Sequence, residues 1–140
     1  LNQWKWCAKK SGNTSYAMRT KYSGGKKVSI LLHSLLLNPR GNDVIDHING
    51  DGLDNRRVNL RVCSRQENSR NQKVRKNNTS GFKGVFLERR VGRSPRFVAS
   101  IQIDGKQKRL GRFRDKIEAA EVYNCAALLH YGAFASLNPI

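Results

Sequence analysis

The chain has 140 residues, room for one compact domain or two small ones. Its 27 Lys and Arg against 10 Asp and Glu give a net charge of +17, which argues against basic partners and for polyanions. No apolar run approaches the roughly 20 residues that span a bilayer, and no long basic amphipathic helix is evident, so nucleic acid is the expected partner and a membrane is not.

Residues 3–7, 15–19 and 26–31 read as short strands of a small antiparallel sheet, with turns at Gly12-Asn13 and Gly24-Gly25. Trp4, Trp6 and Tyr16 are expected to pack in its core. Its Lys and Arg side chains suit either solvent or DNA. Residues 28–37 form the most apolar run, read as a strand end passing into a short buried helix that stops at Asn38-Pro39. His33 lies inside that run, where packing is the expectation. Residues 44–48 and 59–62 read as two further strands, joined by a loop rich in turn-tolerant residues. Ser64 and Glu67 have capping-box spacing and predict a helix over 65–73.

Residues 71–80 are polar and without apolar periodicity, as in a linker. Residues 82–88, 96–103 and 107–113 follow as three strands, with Asp104-Gly105 a strong hairpin signal. Alternation puts Val85 and Leu87 on one face of the first, and Phe97, Ala99, Ile101 and Ile103 on one face of the second. Asp115 caps a final helix, and its alanines 119, 120, 126 and 127 allow close approach to the sheet. Gly132 ends it. Cys7, Cys63 and Cys125 are odd in number and lack a CxxC pair, so free buried thiols in a reducing compartment are expected, and no structural zinc. No signal peptide is visible and the chain starts at Leu, as a trimmed chain or fragment would.

The charge is least positive over residues 44–73, where six basic residues meet four acidic ones, Asp46, Asp51, Asp54 and Glu67. These acids either hold a metal or balance Arg56, Arg57 and Arg61. Hydrolysis of a phosphodiester needs a nucleophile, charge neutralisation at the phosphate and a protonated leaving oxygen, and a divalent cation can supply the last two. Asp46 offers a carboxylate and Asn68 an amide oxygen, hard donors that suit Mg²⁺. An imidazole such as that of His47 has an ordinary pKa near about 6.5, suited to accepting a proton from water at neutral pH.

Residues 44–71 resemble the HNH nuclease motif in the form found in phage and intron-encoded homing endonucleases. The resemblance implies a ββα-metal fold in which His47 is the general base, Asp46 and Asn68 bind the metal, and Asn59 holds the hairpin loop and orients the base. Asn68 stands where many such enzymes carry a second His. Leu32-His33 also fit the subgroup, whereas Ser34 stands where an Arg is common. One divalent ion per chain is implied, Mg²⁺ first and Mn²⁺ as the alternative.

Residues 81–138 resemble the plant ethylene-response-factor DNA-binding domain. The resemblance is carried by Gly81-Phe82-Lys83-Gly84-Val85, Leu110-Gly111-Arg112-Phe113, Ala126-Ala127 and Leu137-Asn138. It implies a sheet that enters the major groove with Lys83, Phe86, Glu88, Arg90, Ser100, Gln102, Gln107 and Arg109 outward. Several of these differ from the family's usual Arg or Trp, so the plant target is not expected. Residues 81–114 carry ten basic and two acidic side chains, and Arg75 and Lys76 before them suit DNA phosphates.

The expected protein is therefore α+β. Residues 1–73 form a small antiparallel sheet plus a ββα-metal nuclease unit, with its core at about 44–73. Residues 74–80 form a basic linker, and 81–140 a three-stranded antiparallel sheet packed on one helix. The expected activity is site-directed cleavage of double-stranded DNA, in the cytoplasm of a bacterial or phage-infected host cell, by a monomer rather than a dimer. The rivals are a non-catalytic DNA-binding regulator and an RNA-binding protein.

Overall fold

The computed structural model describes residues 3–74 and 77–140. The chain divides into two compact units, Leu1–Asn71 and Gln72–Ile140. The architecture is α+β, with three antiparallel sheets of three, two and three strands among the described residues.

Unit 1 opens with β1 (Cys7–Ser11), β2 (Thr14–Ser23) and β3 (Lys26–Leu31), paired in chain order. The sequence reading placed the first strand at 3–7. The structure shifts it, because the two-residue turn at Gly12-Asn13 pairs Ser11 with Thr14 and sets the register from there to Cys7 and Met18. Trp4 is consequently outside the sheet and 53% exposed, not in a core. The Arg19 guanidinium lies over its ring at 4.0 Å, a cation–π contact. Helix α1 (Leu32–Leu37) follows directly and ends at Asn38, whose φ of 44° is the left-handed cap conformation.

Strands β4 (Val44–His47) and β5 (Leu60–Cys63) form the hairpin, with a 3₁₀ turn at Arg57–Asn59 before β5. Helix α2 (Arg65–Arg70) is shorter than the sequence suggested and stops at Asn71. Its start is fixed by the capping box: the Glu67 N–H donates to Ser64 Oγ at 3.2 Å and the Ser64 N–H to Glu67 Oε2 at 2.9 Å.

Unit 2 is a sheet of β6 (Val85–Arg90), β7 (Arg93–Ile103) and β8 (Lys106–Phe113), covered on one face by α3 (Lys116–Tyr131). Val85, Ala99 and Ile101 are buried with Ala119, Ala120, Tyr123 and Ala127 of the helix. Asp115 caps α3 by accepting the Ile117 N–H at 2.9 Å. At Gly84 an added Cβ would lie 2.0 Å from the Tyr123 ring, and φ is +73°, so only glycine fits.

Asn78 and Ser80, assigned to a linker from composition, are built into this unit. Ser80 is buried, and its hydroxyl donates to the Val85 carbonyl at 2.7 Å. Of the three free cysteines only Cys63 is buried; Cys7 and Cys125 are exposed, contrary to the expected buried thiols. Among the described residues no helix is long and apolar enough to cross a membrane.

Candidate active site and candidate nucleic-acid interface

Successive residues of a strand face opposite sides, and β4 uses this to separate an acid from an imidazole. Asp46 pairs across the hairpin with Arg61, and His47 with Leu60. Asp46 is 4% exposed and His47 5%. Asp46 Oδ2 accepts from Arg61 Nε at 2.8 Å and pairs with its Nη2 at 2.6 Å. The Asn71 amide, just past α2, donates to Asp46 Oδ1 at 3.0 Å and lies 3.1 Å from the carbonyl oxygen of His47.

His47 faces the other way, into a cluster with Tyr16 of β2 and His33 of α1. The His33 and His47 centroids are 5.1 Å apart with planes at 86°; those of Tyr16 and His33 are 5.3 Å apart. Tyr16 is backed by Gly52, where an added Cβ would come within 2.6 Å of its ring. Burial, with His47 as a neighbouring charge, pushes the His33 imidazole down to about 4, so it is neutral at pH 7.

Asn59 sits where the loop re-enters β5. Its Oδ1 accepts the Asn49 N–H at 3.0 Å, and its Nδ2 donates to Asn49 Oδ1 at 3.0 Å and to the Asp54 carbonyl at 2.8 Å. One buried amide thereby ties both ends of the loop. Within the loop, the guanidinium of Arg56 holds the Asp54 carboxyl well below the usual range.

Asn68 is half-buried on α2, one turn before Asn71. Among the described residues no three His, Cys, Asp or Glu side chains converge as a metal cage. Asp46 and Asn68 are nonetheless hard oxygen donors of the kind Mg²⁺ takes while keeping most of its waters. A carboxylate offers ~4 lone-pair sites, and in this structure Arg61 and Asn71 already contact both oxygens of Asp46. By donor type the pair suits a hard cation, which would have to displace Arg61 from the carboxylate.

Arg61 and Asn71 went unread in the sequence as site residues. Arg61 is detectable only once the hairpin register is known. Asn71 lies three residues beyond Asn68, the spacing that puts two side chains on one helix face.

In unit 2, the strand register places Phe86, Glu88, Val98, Ser100, Gln102, Gln107, Arg109 and Arg112 on the face away from α3. Glu88 is the hub of this face. Arg90, Arg109 and Arg112 approach its carboxylate to 3.1, 3.2 and 2.7 Å. Burial works against its ionisation, but the Arg90 hydrogen bond and the three positive charges outweigh it and hold its pKa below the ordinary value.

Two residues expected outward are placed otherwise. Ser100 is 8% exposed, and its hydroxyl accepts from Gln107 Nε2 at 3.0 Å. Lys83 precedes β6 and turns its ammonium onto the Gln72 carbonyl at 2.7 Å, where burial lowers its pKa to about 8. Phe86, Gln102, Gln107, Arg90 and Arg109 are exposed. Arg75 and Lys76 lie outside the described residues.

A hairpin and helix with an acid–imidazole pair on one strand and an Asn-tied loop define the HNH class of nucleases, and the HNH endonuclease family model matches residues 39–70. Protein 3.8 of Escherichia phage T7 is 40% identical over 94 residues, covering 65% of this chain and 72% of the phage protein. An uncharacterized HNH endonuclease of Acanthamoeba polyphaga mimivirus is 29% identical over 143 residues, covering 100% of this chain and 70% of the viral one. The chain belongs to the family of phage T7 Protein 3.8, and its residues 39–70 match the HNH endonuclease family. No solved structure matches it significantly.

Proposed function

We propose that the protein is a homing-type HNH endonuclease in which unit 1 cuts double-stranded DNA and unit 2, an ethylene-response-factor-type sheet, selects where. The observation that carries this reading is the buried Asp46–His47 step on β4, an acid and an imidazole on adjacent residues within the segment that matches the HNH family. His47 accepts the proton of the attacking water. Asn59 holds the loop rigid, so the imidazole keeps its position while the phosphate enters. Asp46 and Asn68 would hold one divalent cation, Mg²⁺ by their hardness. Such an ion supplies charge neutralisation at the phosphate and a stabilised leaving oxygen. Asn71 keeps the Asp46 carboxylate oriented.

On unit 2, the arginines around Glu88 and the exposed glutamines supply phosphate contacts and base-edge donors. One active site per chain cuts one strand, so a monomer nicks. The relation to viral proteins supports action inside an infected host cell.

The test is plasmid nicking with and without Mg²⁺, set beside duplex binding. His47→Ala is expected to lower cleavage by about 10²–10⁴-fold with binding nearly intact; full cleavage by this variant removes His47 from the role of base. A second reading, a DNA-binding regulator with a silent nuclease unit, draws on the Asp46–Arg61 ion pair, which already engages the carboxylate. It requires no nicking under any divalent ion.

A further inference from the structure

The cluster behind His47 contains two polar atoms that the cleavage scheme leaves unused. His47 Nε2 and His33 Nδ1 are both sealed from solvent, and neither has a hydrogen-bond partner among the described residues. They belong to neighbouring rings packed edge to face, 5.1 Å between centroids. Buried unpartnered polar atoms are rare and costly, and here two occur in one contact, directly behind the proposed base. A plain packing role would be met equally well by an apolar ring, without that cost.

We propose that His33 is a positioning residue for cleavage: it holds the His47 imidazole in one rotamer and one tautomer, with the proton on Nε2 and the lone pair on Nδ1. The inference rests on the reading of His47 as base and specifies which nitrogen acts. Nε2 is enclosed by the cluster, so water reaches His47 at Nδ1. A proton on Nε2 is what frees the Nδ1 lone pair to accept another. With its electron-rich face or its own ring nitrogen, a neutral His33 favours that Nε2–H; a charged one would repel it. Which ring nitrogen carries the proton is set by what surrounds each of them, and the enclosed Nε2 belongs to a ring packed edge to face on His33. Tyr16 closes the cluster, 5.7 Å from His47, and Gly52 prevents it from retreating. The cluster draws one ring from each of β2, α1 and β4, so the base is braced by three elements.

The experiment compares wild type with His33→Phe and His33→Asn. Phe keeps a ring and removes both nitrogens; Asn keeps a polar group near the position of Nδ1. Two readouts are taken: kcat and KM for nicking, and the ¹⁵N signature of the His47 tautomer at pH 8, which needs no activity. In wild type the Nε2–H tautomer is expected to dominate. His33→Phe is expected to mix the tautomers and lower kcat by about 10–100-fold, the range for groups that orient a functional His, with KM within about twofold. His33→Asn is expected to recover part of both; it carries the same two readouts if the Phe variant does not fold. A folded His33→Phe with wild-type kcat and wild-type tautomer overturns the proposal, as does an Nδ1–H tautomer in wild type. Retained cleavage by His47→Ala would instead overturn the base assignment and leave the tautomer result standing, so the two failures are distinguishable.

Discussion

The two units solve the same problem of size with different materials. Unit 2 is held by apolar contact: three alanines of α3 are fully buried against the sheet, and Tyr123 fills the space that Gly84 leaves. Unit 1 buries little of that kind. Its buried residues are mainly His33, Asp46, His47 and Asn59, with Leu60, Cys63 and a loop glycine. Small domains have limited apolar surface to bury, and unit 1 spends its interior on the groups that would do chemistry. The lesson is that its stability and its proposed activity share residues, whereas in unit 2 the core and the outward face are separate.

That contrast can be broken most severely at Asp46. Asp46→Ala leaves the mostly buried Arg61 charge without its carboxylate, and is expected to destabilise unit 1 by about 3–5 kcal/mol and to abolish cleavage. Adding Arg61→Met should restore the fold and leave cleavage absent. Restored cleavage in the double variant would remove Asp46 from the chemistry. Both tryptophans, Trp4 and Trp6, lie in unit 1, so urea titration followed by tryptophan fluorescence reads this unit alone.

In unit 2 the matching break is Gly84→Ala. It drives a methyl group into Tyr123 at a positive φ, with an expected cost of about 3 kcal/mol. Amide exchange in β6–β8 should accelerate while the tryptophan transition of unit 1 stays put; a shift in that transition would show that the units do not respond separately.

Acid should divide the units next. The folded-state pKa of His33 is depressed, so unfolded chains bind its proton first as pH falls. Its contribution to stability is complete above about 6.5 and is lost as pH falls through about 4. The urea midpoint of unit 1 should therefore drop over that window, and drop less in His33→Phe. Equal slopes would place the acid sensitivity elsewhere. The smallest expected effect is Ser64→Ala, which removes the side-chain half of the capping box at α2 and should lower the stability of unit 1 by about 1 kcal/mol.

The sequence was most legible where local chemistry is decisive. The Ser64–Glu67 spacing predicted where α2 begins, Asp104-Gly105 predicted the β7–β8 turn, and alternation assigned the core face of β7. It was least legible where the answer depends on a partner far along the chain. The first strand was misplaced because its register comes from the turn at Gly12-Asn13 and from pairing with β2, while its tryptophans suggested strand further upstream. Ser100 has outward parity yet is buried, which alternation cannot foresee. At the site, Asp46, His47, Asn59 and Asn68 stood out by residue type and spacing. Arg61, Asn71 and Tyr16 did not, because only the cross-strand register and the packing of β2 bring them in. His33 reads as a packed histidine, and only the packing of α1 on β4 reveals His47 as its neighbour.

Unit 2 also fastens its own two ends. The Asn138 Oδ1 accepts the Lys83 N–H at 2.6 Å and its Nδ2 donates to the Lys83 carbonyl at 3.1 Å. Its backbone N–H reaches Asn124 Oδ1 of α3 at 2.8 Å. A fold whose entry into the sheet and exit from the helix are clasped by one side chain can be rewired: a short bridge joining residues 83 and 138, with the chain reopened at the exposed Val91-Gly92 turn, should preserve every strand pairing. The unit is thus a cassette that could be inserted into a surface loop of an unrelated protein with both connections leaving from the same spot.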